Sequence, residues 1–492
     1  MVLRRPLAGI ALALAPFLAL GGDALCQSAQ GGRRVGPPRT TVPPSARPAS
    51  ASQTDLLMFR GNPERNRSGV GTVPRHPKLL WRFRTKTKVE GPYERRGDKH
   101  VSAGTPWHGL GWTGQPVRRG DRVYFGSTDS YVYCLDAATG KEVWHYGNHH
   151  SIKGSIMISG DRIYHGGRDN RIHCYSLDGK RVWETRIGND CDSNPAIVAG
   201  RGFIGGEDYR IYCFDPVGGA ILWAMGPTNG SVESSPCVVG DHVIAGAGFG
   251  VLYCCDAATG EVVWTAKTGG DMDSTPVHFD GRIYVGSKTK VQRETGALWC
   301  FRESDGRKLW RVPLTRGVWG TAAVDREKRR VYIGCNNSYT YCLDANSGKL
   351  VWKRSLRSRI WSSVVVADGC VLVGVRDGTL WCLNESDGRP LWVFDDGFDI
   401  DATPLVAGGM IVIGSQNGWV YGIGEAPKGE KLNRHWFRTD ADFRQRTDHG
   451  PAGIPTVHSS APAPKAYRDT RATSPARPAT GKTVPPTPAK QP

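Results

Sequence analysis

No long apolar run follows Leu20 in this 492-residue chain. The run before it, Leu7 to Leu20 behind Arg4 and Arg5, is too short for a membrane span and is flanked like a secretion signal. Gly22 and Ala24 suit cleavage after Ala24. The expectation is an exported chain, periplasmic or envelope-associated, with no transmembrane helix once mature. Cys26 invites lipid attachment, but Leu25 stands where a small residue is wanted and Asp23 where an aliphatic one is, which argues against it. CxxC and CxxCH are missing, so zinc and c-type haem have no motif. No nucleophile lies beside a base in a recognisable context. Acid is in short supply: 46 Asp and Glu face 64 Lys and Arg, a net charge of +18. Residues 1–53 carry +5 and residues 426–492 carry +7, leaving +6 between them. Basic tails suit tethering to an acidic surface, such as lipid head groups or cell-wall polymer, and suit plain solubility equally. An exported chain without a binding motif is not expected to meet nucleic acid.

What is there is one pattern written about eight times. Residues 123–144 read VYFGSTDSYVYCLDAATGKEVW, and close copies occupy 243–264, 331–352 and 371–392. Divergent copies start at Ile163, Phe203 and Ile283, and a truncated one at Ile411. In each, a β-branched and aromatic strand ending in Gly meets a tight turn. A second strand follows, then an Asp–Gly connection and a third strand that carries Trp. A further short strand precedes each unit, as at Pro236–Val239. Four short antiparallel strands per period of about 40 residues, with no helical stretch between, predict an all-β, eight-bladed propeller. The blade tryptophans are Trp81, Trp144, Trp183, Trp223, Trp264, Trp310, Trp352 and Trp392. The last unit lacks an outer strand and Leu79–Phe83 lacks inner ones, so that N-terminal strand is expected to complete the last blade and close the ring. Trp436 is the competing candidate, and its surroundings are less strand-like. The boundaries follow: signal peptide 1–24, disordered linker 25–53, propeller 54–425, C-terminal extension 426–450, and a disordered Pro-rich basic tail 451–492.

The string Leu135–Trp144 (LDAATGKEVW) and the opening Met58–Pro63 (MFRGNP) resemble the PQQ-like, quinoprotein-type propeller repeat. The BamB-type outer-membrane assembly scaffold is the nearest in style, and the resemblance covers roughly residues 54–425. It implies the fold, with repeat Trp residues wedged between blades. It leaves function open, because the shared residues are structural.

Seven of the 13 cysteines hold one strand position: Cys134, Cys174, Cys213, Cys254, Cys300, Cys342 and Cys382. Sheets stack about 10 Å apart, whereas a disulfide needs Cα atoms within about 7 Å. These cysteines therefore read as small apolar residues, where the resembling family has Ala. Quinoprotein dehydrogenases carry a vicinal disulfide in a loop over their cofactor. Cys254–Cys255 instead lies in a strand, where neighbours point to opposite faces. Cys191 sits in a loop beside acids and is a candidate exposed thiol.

Propellers place sites on the loops that lead into the innermost strands. Aligned on Pro116, Ile156, Pro195, Pro236, Pro276, Ala322, Val364 and Pro404, the position three residues earlier holds Thr113, Lys153, Asp192, Glu233, Asp273, Trp319, Trp361 and Asp401. Five earlier stand Asp190, Asp271 and Asp399, with Arg359 in the seventh copy. Three copies thus present Asp-x-Asp, with both carboxylates aimed one way. The rim reading is a polar binding cleft, which could take Ca²⁺ or Mg²⁺, and the competing reading is turn capping. Two insertions break the period. The longer, Thr85–Trp112, brings Trp107 and His108 to the same rim, and Lys288–Gly296 lengthens one hairpin. His149–His150 nearby is a weak metal candidate, since adjacent residues rarely reach one ion.

Three functions are in play. The leading one is a monomeric, non-catalytic exported scaffold that meets envelope proteins and has no cofactor. The second is a PQQ- and Ca²⁺-dependent alcohol dehydrogenase-like oxidoreductase. In that case Arg359 or Lys153 would meet the cofactor, Trp319 or Trp361 would stack on it, and a rim Asp would act as base. The third is a carbohydrate-binding propeller, suggested by the rim aromatics and acids.

Overall fold

The computed structural model describes residues 55–86, 110, 114–148, 150–289, 295–439 and 442. Its strands form eight antiparallel sheets. Blade 1 spans Val117–Gly147, blade 2 Met157–Arg186, blade 3 Ala196–Met225 and blade 4 Cys237–Lys267. Blade 5 spans Val277–Leu314, blade 6 Ala323–Ser355 and blade 7 Val365–Asp395. Blade 8 takes three strands from Leu405–Glu425, and Pro77–Arg84 pairs antiparallel with Trp419–Glu425 as its outer strand. Trp436 does not complete that blade. Phe437–Thr439 adds a fifth strand to blade 7, beside Pro390–Asp395.

The second strand does not alternate between core and solvent. Val123, Tyr124 and Phe125 are all buried, because the blade is covered on both faces by its neighbours. Alternation with exposed positions is seen in outermost strands such as Glu142–Gly147.

One small device repeats seven times. Each repeated cysteine lies opposite the blade tryptophan on the adjacent strand, from Cys134 against Trp144 to Cys382 against Trp392. In blade 8 the residue facing Trp81 is Gly422. A small side chain there lets the indole lie down and reach the following blade. Each of the eight indole Nε1–H groups donates to a backbone carbonyl beyond its own blade, at 2.8–3.2 Å. Beneath Trp310 sits Gly348 at φ +69°, where a Cβ would come within 2.9 Å of the ring. All seven cysteines are buried and unbridged.

The segment Asp55–Val73 runs past the short inner strands. Its backbone pairs with Arg118, Ile158, Val238, His278 and Val406. Two fully buried arginines reach further. Arg65 donates to the carbonyls of Phe59, Asn194, Pro195 and Pro236. Arg60 donates to those of Ala322 and Val364. One short segment therefore ties inner strands, or the loops leading into them, from all eight blades.

Candidate functional site

In blades 2 to 8 the loop leading into the inner strand is held by the hairpin of its own blade. The residue two past the strand-ending Gly donates its N–H to the carbonyl of the position five before the inner strand. Arg168 bonds Ser151, Glu207 bonds Asp190, Gly248 bonds Ser231, Lys288 bonds Asp271, Asn336 bonds Gly317, Arg376 bonds Arg359 and Gln416 bonds Asp399. This repeated bond brings the hairpin side chains to the rim beside the expected lead-in residues. Sequence reasoning passed over Arg168, Glu207, Lys288 and Arg376. Their signal was the same 40-residue period, read one position later.

The rim charges are paired. Arg168 of blade 2 lies 2.8 Å from Asp190 and 4.0 Å from Asp192. Arg376 of blade 7 repeats the motif at 2.8 Å from Asp399 and 3.2 Å from Asp401. One guanidinium thus reaches both carboxylates of an Asp-x-Asp, as the period-2 spacing requires. Lys153 meets Asp192 at 2.9 Å, and Lys288 meets Asp273. Asp271 accepts the N–H of Phe249 in the hairpin of the preceding blade.

Between blades 5 and 7 the rim becomes aromatic. Trp319 and Trp361 stack with centroids 4.6 Å apart and planes 13° from parallel. The Lys288 ammonium lies 3.3 Å from the centroid of Trp319, and the Arg376 guanidinium 3.8 Å from that of Trp361. The order is Asp273, Lys288, Trp319, Trp361, Arg376, Asp401. It is a cation–π–π–cation stack pinned by a carboxylate at each end.

Acids crowd the opposite arc. Burial pushes the Glu207 carboxyl up, helped by Asp192, Glu233 and Asp190. Burial also raises Glu233, with Asp273 and Asp192 adding to it. At the end of the stack itself, Asp401 is pushed up to about 7 by burial, against the pull of Arg376. These groups can hold protons near neutral pH.

Arg359 is exposed, and its backbone carbonyl accepts the Arg376 N–H. Trp107, His108 and His149 lie outside the described residues, as do most of Thr85–Trp112 and the middle of Lys288–Gly296. His150 is partly buried, its Nδ1 accepts from the Ser151 N–H at 2.9 Å, and burial lowers its pKa. The exposed thiol expected at Cys191 is corrected. Cys191 is 1% exposed, its Sγ donates to the Gly205 carbonyl at 3.1 Å, and burial raises its pKa well above the ordinary thiol value. The loop tucks beneath the rim, where Asp192 is buried with it and Asp190 stays partly exposed.

Among the described residues no group of three His, Cys, Asp or Glu side chains is placed to hold a metal. The outer faces of the stacked indoles are taken by cations. Cys254 and Cys255 belong to different core clusters on opposite faces of their strand.

The sequence matches the family described as outer membrane protein assembly factor BamB over residues 72–207, 207–311 and 294–426. No curated protein matches it. Among solved structures, BamB from Moraxella catarrhalis is similar at TM-score 0.56 and 18% identity, covering 71% of this chain and 99% of that one. A europium-containing methanol dehydrogenase is similar at 0.61 and 14%, covering 76% and 98%. The quinohemoprotein alcohol dehydrogenase from Comamonas testosteroni is similar at 0.59 and 14%, covering 78% and 83%. At such identities the likeness shows the fold alone.

Proposed function

The chain belongs to the family described as outer membrane protein assembly factor BamB, and from that premise we propose that it is a non-catalytic, envelope-associated scaffold whose rim docks a partner protein. The observation that carries this reading is the occupied aromatic stack. A planar cofactor needs a free ring face, and both outer faces of the Trp319–Trp361 pair hold cations that are themselves paired with carboxylates. A protein surface makes different demands. Aromatics and arginine beside paired charges are the side chains that dominate protein interfaces. The minimal length of most repeats supports the same reading, since little is added to the ring to shape a substrate cleft. Family membership points to envelope proteins concerned with outer-membrane assembly as the partners.

The test titrates purified protein with PQQ and Ca²⁺ while visible absorbance and dye-linked alcohol oxidation are followed. The scaffold reading expects no cofactor uptake at tens of micromolar, taken as about 10–100 µM. Saturable uptake with alcohol oxidation would overturn it.

A further inference from the structure

Beside the stack lies a second feature of opposite character. A cavity of about 910 Å³ opens between the loops of blades 5, 6 and 7, lined by Thr315, Arg316, Asn336, Asn337, Arg357 and Arg359 among others. Its described lining holds three arginines and no carboxylate. Elsewhere on the described rim, Lys153, Arg168, Lys288 and Arg376 are each matched by an acid. Here neither the Arg316 nor the Arg359 guanidinium has an ion pair or hydrogen bond among the described residues.

Comparisons between copies of the repeat mark Arg359 and Arg357 as departures. At the position of Arg359, three other blades carry Asp190, Asp271 and Asp399, so the sign of the charge is reversed. Arg357 lies two residues beyond an outer strand, at φ +75°. The equivalent residues in blades 4 and 7 are Gly269 at +72° and Gly397 at +77°. The equivalence is fixed by the same bond just before each: Leu356 N–H to Ser338 O, Thr268 N–H to Gly250 O and Asp396 N–H to Gly378 O. Glycine takes this left-handed conformation freely, while arginine is strained there. The loops beneath are firm. Cys335 Sγ donates to the Arg316 carbonyl at 3.2 Å, and Asn337 donates to Thr315 Oγ1 at 3.1 Å and to the Tyr341 hydroxyl at 2.7 Å.

We propose that this cavity is a binding site for a phosphate-type oxyanion, gripped by Arg316 and Arg359. The guanidinium fork matches a tetrahedral oxyanion with paired N–H donors. With no carboxylate in the described lining, a ligand can supply the counter-charge to Arg316 and Arg359. The proposal does not depend on the scaffold reading, because the cavity lies beside the stack and shares no residue with it.

The test is calorimetric titration of the full chain with inorganic phosphate at low ionic strength. Three proteins are compared: wild type, Arg316→Gln/Arg359→Gln, and the charge-matched control Lys141→Gln/Lys349→Gln in exposed turns. Thermal unfolding of each shows that the fold is kept. Wild type and control should bind one phosphate saturably, and the arginine variant at least about ten-fold more weakly. Phosphatidylglycerol and phosphatidylcholine vesicles identify the source. Arginine-dependent capture by the anionic vesicles assigns a lipid head group, and phosphate binding without capture assigns the free ion. No saturable phosphate binding by about 10 mM, or equal binding by the arginine variant and the control, overturns the proposal.

Discussion

Replacing Arg376 by Gln should cost stability in a strongly pH-dependent way. The side chain lies over Trp361, 2.8 Å from Asp399 and 3.2 Å from Asp401. Asp399 is about one-third exposed, so losing that pair and the ring contact costs about 1 kcal/mol at any pH. Asp401 behaves differently because it is 1% exposed. Its pKa is raised in the fold, from the ordinary value of 3.8 to about 7. The folded protein therefore binds the proton more tightly than the unfolded chain. Stability from this group is fully present below about pH 4 and is lost as pH rises towards 7. Arg376 is what restrains the shift, so without it the folded pKa climbs further and the loss continues above pH 7. Each further pH unit then adds about 1.4 kcal/mol until the new pKa is passed. The variant should trail wild type by about 1 kcal/mol at pH 5 and about 3 kcal/mol at pH 8.5. Urea unfolding at the two pH values measures the difference, and an added Asp401→Asn should make it equal at both. An equal loss at pH 5 and pH 8.5 without that second change would refute the reasoning.

Three further outcomes follow from the packing. Gly348→Ala should destabilise by about 2–5 kcal/mol, from left-handed strain plus displacement of the Trp310 ring. Gly281→Ala, at φ +68° with nothing within 4 Å, should cost only the strain, and equal melting shifts would refute the docking account. Arg65→Met strips four buried carbonyls of their donor and should cost about 3 kcal/mol or more in chemical unfolding. The thiols of the native fold, buried at every described cysteine, should resist a thiol reagent until denaturant is added.

The blades were legible because each is a local sentence: Trp, the cysteine opposite it and the Gly-ended strand recur at fixed offsets. The lead-in positions were legible for the same reason. The hairpin partners Arg168, Lys288 and Arg376 recur with the same period, but their side chains differ from copy to copy and hide the pattern. Arg60 and Arg65 were not legible at all. Arg60 bonds a carbonyl 304 residues away, and no periodicity announces such a contact. Cys191 misled because a loop bordered by acids reads as solvent-facing, whereas the chain between Asp190 and Asp192 turns inward.

The most direct test of the central claim is co-precipitation of outer-membrane barrel-assembly components from solubilised envelopes. Wild type is compared with Lys288→Gln/Arg376→Gln, after both are shown to be folded. If the rim is a docking face, wild type retains those components and the variant loses them. Failure of wild type to retain them, or equal retention by the variant, would contradict the account.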